Sequence, residues 1–211
     1  INFIKGALDE NLNINEIPWN SNDDYFYEDN NSDTLLIIFG SNGRSDNKIP
    51  SFNFYNLFKE DKSFDKLFLR DIDRNYYLAG LKNSTKGLKE TIELIDKLSS
   101  KKRFRSTLSI GASSGGFAAI LYGHLLKFSK VIAFNPQTVL SKEKESVVKD
   151  FIYTQEVSKK LRSINLKDDF YQRCLNLRNF LPLNTKVEIH YSEFSEIDCN
   201  HALYLKHEKT T

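Results

Sequence analysis

The run Ser109-Ile110-Gly111-Ala112-Ser113-Ser114-Gly115-Gly116-Phe117 carries a serine with glycine two residues before it and two after. Arg105 to Ile110, with Leu108 and Ile110 on one face, reads as a short strand before it. Phe117 to Leu126 reads as a buried helix after it. A serine between strand and helix at the spacing G-x-S-x-G is the pattern of a nucleophile elbow. The turn is so sharp that a side chain at either flanking position would meet backbone. Its strain lifts the serine hydroxyl above the positive end of the next helix. Ala112-x-Ser114-x-Gly116 is a second register of the same pattern, and the two true glycines favour Ser113 over Ser114. A phosphate loop needs a Gly-Lys-Ser/Thr ending and a dinucleotide site needs G-x-G-x-x-G; this run supplies neither. A tight turn without chemistry is the plain alternative.

A serine hydroxyl becomes a nucleophile when an imidazole, oriented by a carboxylate, takes its proton. Of four histidines, His124 lies more than two turns into the following helix, His190 lies within a strand, and His207 lies in a charged tail. His201 follows the last strand pattern, three residues after Asp198. Read as a triad, Ser113 attacks, His201 is general base and then general acid, and Asp198 orients it. Asp198 as a cap on a helix from Asn200 to Leu205 is the alternative, and Glu193 and Glu196 are the other carboxylates of that loop. The oxyanion needs donors. The N–H of Ser114 is one, and Phe39-Gly40-Ser41-Asn42-Gly43 offers the N–H of Ser41, unless that loop is only a glycine-rich turn. Cys199 beside His201 lacks an elbow. Asp198, Cys199 and His201 have no second ligand cluster to complete a metal site, so no metal or other cofactor is called for.

The elements that must position these residues are legible as apolar runs. Thr34 to Phe39 is continuously apolar and breaks at Gly40, as a strand buried on both faces does. Tyr25 to Tyr27 reads as a short edge strand, Lys66 to Arg70 as a strand ending at Asp71, Val131 to Phe134 as a strand stopped by Asn135-Pro136, and Lys186 to Tyr191 as the last strand. Leu88, Ile92, Ile95 and Leu98 recur at helical spacing, with Ser84 as the expected N-cap. Ser51 to Phe58 is aromatic-rich and reads as a short helix or loop. Strands alternating with helices predict an α/β protein, a three-layer sandwich with a mostly parallel central sheet. In such sheets function gathers beyond the carboxyl ends of the strands. That rule selects the loops after Phe39, Arg70, Ile110, Phe134 and Tyr191.

The 211 residues suit one domain over 1–211, in which the charged helical stretch 142–181 reads as a cap insertion. A net charge of +2 with interspersed signs gives no nucleic-acid stripe. Trp19, Tyr76 and Tyr77 read as packing or pocket-wall aromatics. Two cysteines suit a reducing cytoplasm, and no apolar run approaches a membrane span or a signal peptide. Frequent Asn, Lys and Ile point to an AT-rich bacterial genome.

These residues resemble the α/β-hydrolase superfamily. The likeness rests on Phe39 to Gly43, Gly111 to Gly116, Val131 to Pro136 and Asp198-x-x-His201. The order Ser…Asp…His is the order of that fold. More narrowly, the chain is similar to small bacterial hydrolase-like proteins associated with glycosyltransferases and surface-glycan assembly. Leu67 to Asp71, Tyr76 to Leu81, Phe117-Ala-Ala and Val131 to Thr138 carry that likeness, over roughly 34–140 and 186–205. The resemblance implies a compact α/β-hydrolase fold, Ser113 as nucleophile and Asp198 as the acid. It also implies a serine esterase or acyltransferase acting through an acyl-serine on a small-molecule or glycan ester. Proteins of this kind often carry a further histidine downstream. A hydrolase-like fold with a degenerate triad, used for binding or assembly, is the second expectation.

Overall fold

The computed structural model describes residues 2–5, 22–43, 49–141, 143–151, 161 and 168–206. Seven strands, β1 (Asn2–Lys5), β2 (Tyr25–Asp29), β3 (Thr34–Phe39), β4 (Asp65–Leu69), β5 (Ser106–Ala112), β6 (Lys130–Phe134) and β7 (Lys186–His190), make one sheet in the order β1-β2-β4-β3-β5-β6-β7. β3 to β7 are parallel to their neighbours, whereas β2 runs antiparallel to β4 and β1 antiparallel to β2. The carboxyl ends of β3 to β7 therefore share one edge of the sheet, and the loops after them converge there. The helices among the described residues are α1 (Tyr55–Phe58), α2 (Leu88–Ser99), α3 (Ser114–Leu125), α4 (Lys144–Val148), α5 (Asp169–Cys174) and α6 (Glu196–Leu205), with a 3₁₀ turn at Leu177–Phe180. Among the described residues no helix is long and apolar enough to cross a membrane.

The continuous apolar run of β3 is explained by burial on both faces. Leu35, Ile37 and Phe39 join the larger core with α3, while Leu36 and Ile38 join Phe52, Phe68 and Ile110 on the opposite face. α3 is apolar all round because nothing around it is water; every residue from Ser114 to Gly123 is buried. Residues 169–180, the far end of the expected cap, contribute Tyr171, Cys174, Leu177 and Phe180 to this same core. Trp19 and His207 lie outside the described residues.

Two expectations are corrected. β2 is not an edge strand, because β1 pairs along its other side. β1 has no alternating pattern that would have announced it. α2 starts at Leu88 rather than behind a Ser84 cap, because the Ser84 hydroxyl donates to Asp24 Oδ2 at 2.8 Å. Tyr76 and Tyr77 pack in the core as expected of packing aromatics, and the Tyr77 hydroxyl donates to the carbonyl of Gly40 at 2.8 Å.

One buried cation organises the carboxyl edge. Arg70, directly after β4, is fully buried; its Nε donates to the Asp23 carbonyl at 2.7 Å and its Nη1 to the Pro50 carbonyl at 3.3 Å. Its guanidinium also lies 4.2 Å from the centre of the Phe52 ring, which meets Phe26 edge-on at 4.8 Å. The segment leading to α1 is thus fixed against the ends of β2 and β4.

Candidate active site

Ser113 stands between β5 and α3 with φ 52° and ψ −118°, a conformation that a residue with a side chain rarely adopts. Its backbone is pinned: its N–H donates to the Phe134 carbonyl at 2.9 Å, and its carbonyl accepts from Phe117 N at 3.0 Å and Gln137 N at 3.3 Å. The flanking glycines follow from contact. A Cβ on Gly111 would lie 2.1 Å from the Gly115 carbonyl oxygen, and one on Gly115 would lie 2.3 Å from that of Phe39. Ser113 is exposed and its side chain does not cap α3, so its hydroxyl faces solvent above an uncapped helix N-terminus.

Ser114, next in the chain, is 2 % exposed. Its Oγ accepts a hydrogen bond from the backbone N–H of Asn42 at 2.8 Å, which ties the loop after β3 to the elbow. The carbonyl of Asn42 in turn accepts from Arg74 Nε at 2.8 Å. The N–H of Ser41 is not free for an oxyanion as placed; it donates to Asn53 Oδ1 at 3.1 Å, with Ser41 Oγ 3.4 Å from the same oxygen. The N–H of Ser114, in the first turn of α3, has no acceptor among the described residues.

The structure does not bring His201 to Asp198 or link it to Ser113 by a hydrogen bond. His201 is 1 % exposed on α6. Its Nδ1 accepts from the Thr138 N–H at 3.0 Å, so a proton on the ring sits on Nε2, which faces Asp150 Oδ2 at 3.4 Å. Thr138 Oγ1 donates to the carbonyl of His201 at 3.0 Å, closing a two-point clamp. No lone pair remains for a serine proton. Asp150 is shared with Lys144 Nζ at 2.7 Å, and both side chains are almost wholly buried; burial lowers the Lys144 pKa and the Asp150 carboxylate opposes that. Thr138, Lys144 and Asp150 gave no signal in the sequence, since they stand 51 to 63 residues from His201 or lie in charged helical sequence.

Asp198 lies in the first turn of α6, where its N–H donates to the Ser195 cap at 3.3 Å; its carboxylate has no partner among the described residues. α6 begins at Glu196, before the expected Asn200, so Asp198 and His201 both stand on this helix rather than in the loop after β7. His124 Nδ1 accepts from Asn184 N at 3.0 Å, and burial lowers its pKa with the Arg173 charge adding to the effect. His190 Nε2 meets Glu188 Oε1 at 2.7 Å. Cys199 Sγ points to the Ser192 carbonyl at 3.5 Å, without an elbow or a base beside it.

No protein-family model matches the chain, and no curated protein matches it by sequence. Solved structures do match it. The capsule O-acetyltransferase of Neisseria meningitidis serogroup A superposes with a TM-score of 0.60 at 19 % identity, covering 86 % of this chain and 75 % of that one. The glycosylation-associated Gap123 complex of Streptococcus agalactiae gives 0.56 at 17 % identity, over 79 % of this chain and 34 % of that one. Esterase B from Lactobacillus rhamnosis gives 0.52 at 12 % identity, over 82 % and 59 %. At such identities the likeness speaks of architecture, and with the strand order, the elbow and the converging loops it leads to one conclusion: the chain has the α/β-hydrolase fold.

Proposed function

We propose that this protein is a serine esterase or acyltransferase that forms an acyl-serine at Ser113. The observation that carries the reading is the strained, solvent-facing Ser113 between glycines that tolerate no Cβ. Its φ of 52° is paired with ψ −118°, outside the left-handed helical region, and the residue that holds this conformation carries an exposed hydroxyl. The Ser114 N–H serves as one oxyanion donor, and Asp198 after β7, whose carboxylate has no partner among the described residues, serves as the acid. A carbohydrate O-acyl ester is the first substrate to test, given the resemblance to glycan-associated proteins and the fold shared with a capsule O-acetyltransferase. Labelling with a fluorophosphonate probe is the test. The expected pattern is labelling of the wild type, loss in Ser113→Ala, and retention in Ser114→Ala. A folded wild type that stays unlabelled refutes the reading.

A second reading has its own support. His124, His190 and His201 each have a ring nitrogen bonded elsewhere, and none bonds to Ser113. A hydrolase-type fold serving binding or assembly accounts for that, and a matched fold within the Gap123 complex is compatible with it. Under this reading the wild type remains unlabelled while a glycan or protein partner still binds Ser113→Ala and wild type alike.

A further inference from the structure

We infer that Asn53 is an oxyanion donor, presenting its side-chain N–H to the carbonyl oxygen of an acyl group at Ser113; the inference rests on Ser113 being the nucleophile. The Asn53 amide has a defined orientation. A backbone N–H only donates, so the bond from Ser41 N at 3.1 Å identifies the end of the Asn53 amide facing Ser41 as the oxygen. The amide is planar, and anchoring Oδ1 therefore aims Nδ2 away from Ser41. Nδ2 has no acceptor among the described residues, and it is not among their buried unpaired atoms. It is a donor held in place by the Oδ1 anchor and not engaged by any of the described residues.

Its place in the fold points the same way. Phe52, one residue before, is held on Arg70 at the end of β4. Phe54, one residue after, packs 5.9 Å from Phe134, the last residue of β6. Because β3 and β5 lie between β4 and β6, Asn53 bridges across the ends of β3 and β5, the second of which leads into Ser113. Phe54 takes φ 60°, a left-handed kink that a phenylalanine adopts only under constraint. The Ser51 carbonyl stands 3.1 Å from where a Cβ on Gly40 would be, so the segment lies against the loop after β3.

The chemistry is simple. As Ser113 Oγ bonds to the acyl carbon, the carbonyl π pair moves to oxygen, and the resulting O⁻ is held by Asn53 Nδ2–H and the Ser114 N–H. When the pair returns, the bond to the leaving alkoxide breaks. That oxygen takes up the proton released by the Ser113 hydroxyl, so atoms and charge balance over the step. Ser41 changes role accordingly: its N–H positions Asn53 rather than the substrate.

The test uses the full chain and the fluorophosphonate probe, whose P=O oxygen occupies the oxyanion position. Asn53→Asp keeps an oxygen for the Ser41 anchor and removes the N–H; Asn53→Ala removes both. The second-order labelling rate is expected to fall about 100-fold in each, with the thermal midpoint of Asn53→Asp unchanged. A purely structural Asn53 predicts wild-type labelling in Asn53→Asp. That result, with Ser113→Ala unlabelled, overturns the assignment alone. Absence of labelling in the wild type, or its persistence in Ser113→Ala, overturns the Ser113 reading and this assignment with it.

Discussion

Asn42 donates its backbone N–H to the buried Oγ of Ser114 at 2.8 Å, so the loop after β3 and the turn after β5 form one hydrogen-bonded unit. The two adjacent serines divide the work: Ser114 faces inward and joins the loops, and Ser113 faces outward and is available for chemistry. Ser114→Ala leaves the Asn42 N–H without its acceptor. Unfolding free energy should fall by about 1 kcal/mol, read by urea titration, while Ser113 keeps its labelling.

Gly115→Ala tests the tightness of the elbow. The new methyl would lie 2.3 Å from the Phe39 carbonyl and 2.9 Å from that of Gly40, both backbone atoms of a buried strand end. Overpacking of this kind should cost about 3 kcal/mol or more. The variant should show a thermal midpoint well below that of wild type, or fail to accumulate as folded protein.

His201→Ala addresses the clamp on Thr138. The variant strands the buried Thr138 N–H and takes a contact from Asp150. A loss of about 2–4 kcal/mol is expected by denaturant titration, with Ser113 labelling kept at temperatures where the variant is folded. Labelling abolished in a folded His201→Ala protein would return His201 to the part of general base.

Asp65 gives a pH dependence of defined sign. Burial raises its pKa, but hydrogen bonds from Lys102, from Tyr27 and from the backbone of Ser32 and Asn30 outweigh this and leave it lowered. Its native pKa is below its unfolded one, so its contribution is present in full above the unfolded value, near 3.8, and is lost as pH falls through the native value. Thermal midpoints measured from pH 5 down to pH 2 should fall, and Asp65→Asn should flatten that fall.

How much of this was readable beforehand divides along physical lines. The elbow was legible because its geometry forces glycine at fixed offsets from Ser113. β3 and β6 were legible because Leu35 to Phe39 and Val131 to Phe134 run without a polar residue. β5, which carries Ser106, Thr107 and Ser109, was legible from Leu108 and Ile110 on one face and from the elbow that follows it. The triad proposed around His201 was suggested by three-residue proximity to Asp198. In the helix that proximity places one residue in the half-buried first turn and turns the other into the core. Asp150 and Lys144 were invisible because a buried ion pair has the same composition as a solvated helix face until packing decides. Asn53 sits in an aromatic segment whose periodicity says nothing of a polar residue; only the Phe52 and Phe54 contacts reveal which strand ends it crosses.

The backbone of Ser113 carries a last consequence. Glycine would occupy φ 52° and ψ −118° without steric penalty, so Ser113→Gly should raise the unfolding free energy by about 1 kcal/mol while abolishing labelling. A more stable sequence therefore lies one substitution away, and it is chemically silent. The difference in melting temperature between the two proteins measures, in degrees, the stability that the fold gives up to hold one hydroxyl in the open.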